Sequence, residues 1–233
     1  MFCGQSTAPA ISIVTGTLNR RNYLQNMVAS ARAAVYPLSY EFVIVDGGST
    51  DETEAWMEEQ RDVVSVLHRA RYGAVYAFND GFKKSRGMYI ASLNDDCLIY
   101  GDVFCKAVEM MEQDKDIGQV AIPFRTSDKP SPTFDIVPHA KTKQQWLYAN
   151  FGVTRNWLGN KLGWWGGYDH YSGDAELSLK IWDAGYKVVK LDGNGHILHL
   201  EVQDSTRKGN NDSEKFYAKW NDWEGPSGIK ILQ

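Results

Sequence analysis

Cysteine is scarce in this 233-residue chain: Cys3, Cys97 and Cys105 are unevenly placed, and no two have CxxC spacing. That pattern argues against a disulfide framework and against a zinc site. Long hydrophobic runs are missing too. Ile11-Ser12-Ile13-Val14 and Phe42-Val43-Ile44-Val45 are strand-sized, far below the ~20 residues of a membrane-spanning helix. The opening Met1-Phe2-Cys3-Gly4-Gln5-Ser6-Thr7 lacks the basic start and apolar core of a secretory signal. These absences predict a soluble, cytoplasmic protein with no transmembrane segment. Basic charge is short: 25 Lys and Arg stand against 29 Asp and Glu, a net charge of −4. A general nucleic-acid binder shows the opposite excess, so no nucleic-acid partner is expected. Internal repeats and low-complexity tracts are absent. So is a GxGxxG turn after the first apolar run, which removes the dinucleotide-binding dehydrogenases from consideration.

The chain does have enough apolar surface for one substantial core, with 43% hydrophobic residues. Its first hundred residues alternate β-branched runs with helical periodicity, the pattern of an α/β fold with a mainly parallel sheet. Strands are expected over 11–14, 42–45, 63–68 and 88–93, with helices over 23–35, 52–60 and 75–85 between them. Ser49-Thr50-Asp51-Glu52 reads as a capping box, with Ser49 at the N-cap of the second helix. A helix over 103–113 and a strand over 119–123 follow. Residues 124–170 lose this regularity and fill with Pro, Gly, Asn and aromatics. A helix over 174–184 and strands over 187–191 and 196–200 restore it. The final thirty residues read as polar and irregular apart from Phe216-Tyr217-Ala218-Lys219-Trp220. Of eight tryptophans, all but Trp56 lie in the second half.

Carboxylates gather where predicted strands end, the edge at which open α/β sheets bind ligands. Asp46 follows the second strand; it suits a nucleobase or ribose contact, or equally a turn whose backbone it caps. Asn94-Asp95-Asp96 follows the fourth. Adjacent acids repel unless a cation or donors offset them, and Mn²⁺ or Mg²⁺ with phosphate oxygens is a common offset. The plain alternative is a solvated acidic turn. Asp174, in Gly173-Asp174-Ala175-Glu176, falls at a helix start, where the dipole favours the ionised form that a general base needs; an ordinary helix-start acid fits as well. Just before it, Gly163-Trp164-Trp165-Gly166-Gly167-Tyr168-Asp169-His170 offers aromatic faces for a sugar or for packing.

Taken in order, these motifs resemble the family-2 glycosyltransferases of the GT-A fold over about residues 11–220. Ile11 to Arg20 resembles the opening strand and turn, although Gly16 replaces the usual Pro and Leu18 the usual aromatic. Val45-Asp46-Gly47-Gly48-Ser49-Thr50-Asp51 matches the second motif. Arg71-Tyr72-Gly73, Asn79-Asp80-Gly81 and Gly87-Met88-Tyr89-Ile90-Ala91 lead into Asn94-Asp95-Asp96, which stands where the family has its DXD-type element. Gly173-Asp174 falls where the family has Glu-Asp.

The resemblance implies a metal-dependent inverting transferase that takes a nucleotide-diphosphate sugar and a glycan or other hydroxyl-bearing acceptor. Thr15, Thr17, Asn19, Asp46, Arg71, Asn79 and Asp95 would bind the donor. Asp96, with His199 as a further ligand, would hold Mn²⁺ or Mg²⁺; a structural histidine or a phosphate contact is the other reading of His199. Asp174 would be the catalytic base, and Trp164 and Trp165 would meet the acceptor. Residues 1–97 would form the nucleotide-sugar half and 98–233 the acceptor half with its polar C-terminal segment, in one continuous domain. Arg207-Lys208-Gly209 would be a lid over the diphosphate or a solvated loop. A sugar nucleotidyltransferase, which would need a Gly-rich basic loop after the first strand, and a non-catalytic carbohydrate-binding protein are the competing readings.

Overall fold

The computed structural model describes residues 8–138, 144–202 and 211–226. Elements follow one another as β1 (Ile11–Thr17), α1 (Arg21–Val35), β2 (Tyr40–Asp46), α2 (Thr53–Glu58), β3 (Val63–Leu67), α3 (Ala74–Lys84) and β4 (Tyr89–Ser92). Next come β5 (Cys97–Tyr100), α4 (Val103–Gln113), β6 (Ile117–Ala121), β7 (Phe124–Arg125), β8 (Asp135–Pro138), β9 (Gln145–Tyr148) and β10 (Gly152–Arg155). The chain continues through α5 (Asn156–Leu162), α6 (Gly173–Asp183), β11 (Lys187–Lys190), β12 (His196–His199) and α7 (Asp212–Trp220). Among the described residues, no helix is long and apolar enough to cross a membrane.

Seven strands form the central sheet in the order β11-β6-β10-β4-β1-β2-β3. Every pairing is parallel except those of β10, which runs antiparallel between β4 and β6. The sheet thus draws strands from both sides of residue 97. Helices cover both of its faces, so alternate residues of a strand enter different cores. Ile11 and Ile13 of β1 pack with Leu24, Met27 and Phe42, whereas Val14 and Val43 pack with Phe78, Phe82 and Trp164. Glycine is forced at residue 87, where a Cβ would meet the Ser12 backbone nitrogen at 2.5 Å.

The mainly parallel α/β sheet expected from the sequence is present, with differences in detail. β1 runs three residues further than its apolar run, to Thr17, because its polar end is covered. The sixth strand starts at Ile117 and stops at Ala121, two residues earlier at each end than expected. The capping box does not form. Ser49 donates its hydroxyl to Asp46 and accepts the Asn19 backbone N–H at 2.8 Å, while Glu52 is the residue that precedes α2, at φ 64°. Among its described residues, the irregular-looking stretch 124–170 holds four short strands and a helix; its Pro and Gly residues separate them rather than dissolve them.

Beyond the sheet, β12 pairs with β5 and β7 in a small second sheet, and β8 pairs with β9 as a hairpin. α7 closes the molecule, within a final stretch expected to be irregular apart from Phe216–Trp220. Trp146 of β9, Trp182 of α6 and Trp223 beyond α7 meet with ring centroids 5.0 and 5.1 Å apart, and Trp220 joins through Trp223. Indole N–H groups tie the same region together: Trp182 donates to the Leu147 carbonyl and Trp223 to Asp183, each at 3.0 Å. Four of the later tryptophans are therefore packing residues that hold α7 to the hairpin and α6.

Candidate active site

Two carboxylates lie buried just past the end of β4. Asp95 is 4% exposed and Asp96 3%, and acids so far from water need compensating partners. The Thr17 hydroxyl donates to Asp95 at 2.9 Å and Arg20 Nη1 at 3.1 Å. Arg20 Nη1 is also 3.7 Å from Asp96, and its Nη2 donates to the Val202 carbonyl at 2.7 Å. Val202 returns its N–H to Asp96 Oδ2 at 2.9 Å. Burial pushes Asp95 up to about 6, with Arg20 opposing and the neighbouring Asp96 charge adding to the rise. Burial acts on Asp96 as well, yet His199, the Val202 N–H and Arg20 together hold it below the ordinary range.

His199 reaches this point because β12 pairs with β5 so that His199 sits opposite Cys97. Its Nε2 lies 3.3 Å from Asp96 Oδ1 and 3.2 Å from Asn94 Nδ2. Asp96 Oδ1 is buried and has no well-formed hydrogen bond. An orphaned carboxylate oxygen and an imidazole nitrogen facing one point fit a divalent cation such as Mn²⁺, which accepts both donor types. Among the described residues, no three or more His, Cys, Asp or Glu side chains are placed so as to hold a metal ion by themselves. Such an ion would take its remaining ligands from water and phosphate oxygens.

Above the acid pair is a cavity of about 120 Å³, lined among others by Thr17, Leu18, Arg20, Arg71, Tyr72, Asp95 and Asp96. A larger cleft of about 560 Å³ adjoins it, with Tyr148, Trp165, Tyr171, Asp174, Phe216 and Tyr217 in its walls. Ala74, Phe78, Asn94 and His170 line both, so the two spaces meet. The strand arrangement explains the meeting. Ser92 of β4 pairs with Gly152 of β10, which sets Asn94–Asp96 and Asn150 at the same sheet edge.

Asp174 enters the larger cleft from the first turn of α6, where its Oδ1 accepts the Ala175 N–H at 2.8 Å. Burial raises it to about 6; backbone N–H groups oppose the rise, and the nearby Asp135 charge adds to it.

Of the residues expected to bind a donor, Thr17, Arg71 and Asp95 line the smaller cavity and the other four do not. Thr15 is buried within β1, its hydroxyl turned to the Gly16 carbonyl. Asn19 adopts φ 53° and spends its side-chain oxygen on the Thr50 N–H at 2.7 Å. Asp46 caps its own turn, accepting the Gly48 and Ser49 N–H groups at 3.3 and 2.9 Å together with the Ser49 hydroxyl. Asn79 grips the Trp165 backbone in both directions, at 3.2 Å each way. Trp165 faces the larger cleft, but its neighbour does not. Trp164 is 5% exposed, lies against Phe82 with centroids 4.4 Å apart, and donates to Asn160. Adjacent positions in an irregular loop point opposite ways, and Trp164 is core. Asp96 lines the smaller cavity and His199 and Asp174 line the larger cleft, while Arg207-Lys208-Gly209 lies outside the described residues.

Other residues were not anticipated. Arg20 was visible only as the end of the opening turn. Asp212 opens α7 and is fully buried; it accepts the N–H groups of Asp169, His170 and Tyr171 at 3.0, 2.8 and 3.0 Å. No local pattern links a carboxylate to a loop so distant in sequence.

A model of the family described as glycosyl transferase family 2 matches residues 12–164. A putative teichuronic acid biosynthesis glycosyltransferase of Bacillus subtilis, TuaG, is 29% identical over 107 residues, covering 44% of this chain and 42% of that protein. An uncharacterised glycosyltransferase of Rickettsia prowazekii is 32% identical over 93 residues, covering 40% and 29% respectively. The matched stretch is thus less than half of either curated relative. Among solved structures, the mannosyltransferase PcManGT of Pyrobaculum calidifontis, in complex with GDP-Man and Mn²⁺, superposes with a TM-score of 0.67 at 20% identity over 86% of this chain and 59% of that one. TarS of S. aureus (residues 1–349), in complex with UDP-GlcNAc, gives 0.65 at 17% identity over 89% and 63%. The shared architecture is the GT-A fold.

Proposed function

Because the chain belongs to glycosyl transferase family 2, we propose that it moves a sugar from a nucleotide-diphosphate sugar to an acceptor hydroxyl, with inversion at the anomeric carbon. One observation carries this reading. A cavity floored by the Asp95–Asp96 pair opens, at Asn94 and His170, into a cleft containing a carboxylate raised to about 6. Two substrates could meet there with their reacting atoms between the acid pair and Asp174.

In this reading residues 1–97 supply the donor platform. Thr17, Arg71 and Asp95 line the cavity that takes the nucleotide diphosphate, a ligand of the class held by PcManGT and TarS. Arg20 and Arg71 bring positive charge to a strongly anionic ligand. Asp96 and His199 would hold Mn²⁺ or Mg²⁺, which when bound offsets the negative charge of the departing diphosphate. Asn19, Asp46 and Asn79 act one step back. They fix the turns that shape the cavity and hold the Trp165 loop.

Residues beyond 97 supply the acceptor side, a glycan or other hydroxyl-bearing molecule seated against Trp165 and its aromatic neighbours. Asp174, ionised at neutral pH, accepts the proton of the attacking hydroxyl. The new bond forms on the face of the sugar opposite the leaving diphosphate, so one displacement inverts the centre. A buried carboxylate is a better proton acceptor than a solvated one, because its raised proton affinity is closer to the working pH.

A thermal-shift panel of UDP, GDP and dTDP, each with and without Mn²⁺, tests the donor half of the reading. At least one nucleotide should raise Tm, and more so with Mn²⁺, through preferential binding to the native state. No shift with any of the three would overturn it.

A further inference from the structure

The smaller cavity has an aromatic side chain that the reaction as described leaves without a task. Tyr72, in the turn before α3, lines it beside Leu18, Gly47 and His68, yet 58% of the residue is exposed. A large ring left open at the wall of a ligand cavity offers a stacking surface. We infer that Tyr72 is the platform on which the nucleobase of the donor stacks, so that the cavity holds the nucleotide by its base as well as by its phosphates. This inference rests on the reading of the cavity as the donor site.

The other side chains of the cavity leave this task open. Arg20 and Arg71 suit the phosphates. Gly16, Leu18, Gly47, Ala74 and Ala77 are small or aliphatic and offer the base no aromatic face. Asp46, whose carboxylate could have met a base edge, is spent on the N–H groups of Gly48 and Ser49. Of the cavity's other rings, Phe78 is buried with its centroid 4.5 Å from that of Trp165. The His68 ring is mostly buried and bonded to Asp80 at 3.0 Å. His170 stands where the cavity opens into the larger cleft, on the acceptor side.

Tyr72 is also held in place before any ligand arrives. Its ring lies 5.3 Å from that of His68 at an angle of 82°, and 5.7 Å from that of Tyr76 in the first turn of α3. The backbone beside it is fixed as well. Val75 donates its N–H to the Asp169 carbonyl at 3.3 Å. Gly73, at φ 107°, passes that carbonyl so closely that a Cβ would stand 2.5 Å from it. A ring already supported by its neighbours loses little freedom when a base settles on it, so more of the stacking energy appears as affinity.

The test is calorimetric titration of the parent, Tyr72→Phe and Tyr72→Ala with UDP, GDP, dTDP and pyrophosphate, each with Mn²⁺. Tyr72 is exposed, so both variants should keep the parental Tm. For the nucleotides that bind the parent, Tyr72→Ala should raise Kd by roughly 5- to 100-fold, the range of one lost base–aromatic stack. Tyr72→Phe should stay near the parental value, because the ring face is kept. Pyrophosphate has no base, and its Kd should be the same in all three proteins. Unchanged nucleotide binding in Tyr72→Ala, an equal loss for pyrophosphate, or a Tyr72→Phe protein as weak as Tyr72→Ala would overturn the stacking role and leave the donor site standing. A parent that binds none of the three nucleotides would overturn the donor site and this inference with it.

Discussion

Asp212 and His170 are joined across 42 residues: one carboxylate oxygen of Asp212 accepts the His170 backbone N–H at 2.8 Å. The same group takes the N–H groups of the residues on either side. Burial works against its charge, yet these backbone donors and Lys215 hold Asp212 below the ordinary carboxylate range. His170 lines both clefts, so the wall between them is fastened to α7 rather than to the sheet.

Replacing Asp212 should reveal that fastening. Asp212→Ala leaves three backbone donors without their acceptor and should cost about 2–4 kcal/mol of stability. Asp212→Asn, which keeps one carbonyl oxygen, should cost less. Chemical denaturation measures both. An Asp212→Ala protein as stable as its parent would show that the loop holds itself.

The paired tryptophans should separate cleanly. Trp164→Ala empties a buried, stacked position and should cost about 3–5 kcal/mol. Trp165→Ala is expected to raise KM for the acceptor several-fold with kcat changed less, the mark of lost ground-state binding. Equal stability losses, with no change in KM, would make both indoles packing residues.

Proton balance gives a third expectation. A base raised to about 6 is mostly protonated below that pH, so transfer should rise through about 6 and then level off. Stability should move oppositely at this residue. A native-state proton affinity above the unfolded one favours folding at acid pH, and that advantage is lost as pH rises through about 6. Relative to Asp174→Asn, the parent should therefore lose stability between roughly pH 4 and 7. Melting curves of both proteins across that range provide the comparison.

Asp96 provides the fourth. Asp96→Ala removes the orphaned oxygen beside His199 and should reduce Mn²⁺-dependent transfer by at least ~100-fold. Asn94 and Asp95 remain in place. Turnover measured with Mn²⁺ and with a chelator gives the answer, and an unchanged rate would end the metal role of Asp96.

Much of the frame was legible in the sequence because β-branched runs and helical periods are local signals. β1 to β4 and α1 to α4 follow directly from them. The acids at strand ends were legible for the same reason. What escaped detection depends on contacts between distant segments. The β10 insertion pairs residues 152–155 with strands far away in sequence. Asp46 and Asn79 looked like ligand contacts because they are polar and well placed; only the packed turns show that the protein itself consumes their hydrogen bonds. Trp164 and Trp165 are indistinguishable by composition, and their opposite destinations are set by Phe82 and by the cleft.

The antiparallel β10 also divides the labour of the chain. The excursion that contains β7, β8 and β9 leaves the sheet after β6 and returns through β10, at two strands pinned side by side. Changes in its length or sequence would fall between those fixed points. The larger cleft can be remodelled while the turn carrying Asn94, Asp95 and Asp96 keeps its place. The strand that runs against its neighbours thus separates a wall built partly on the excursion from one built on the turn after β4.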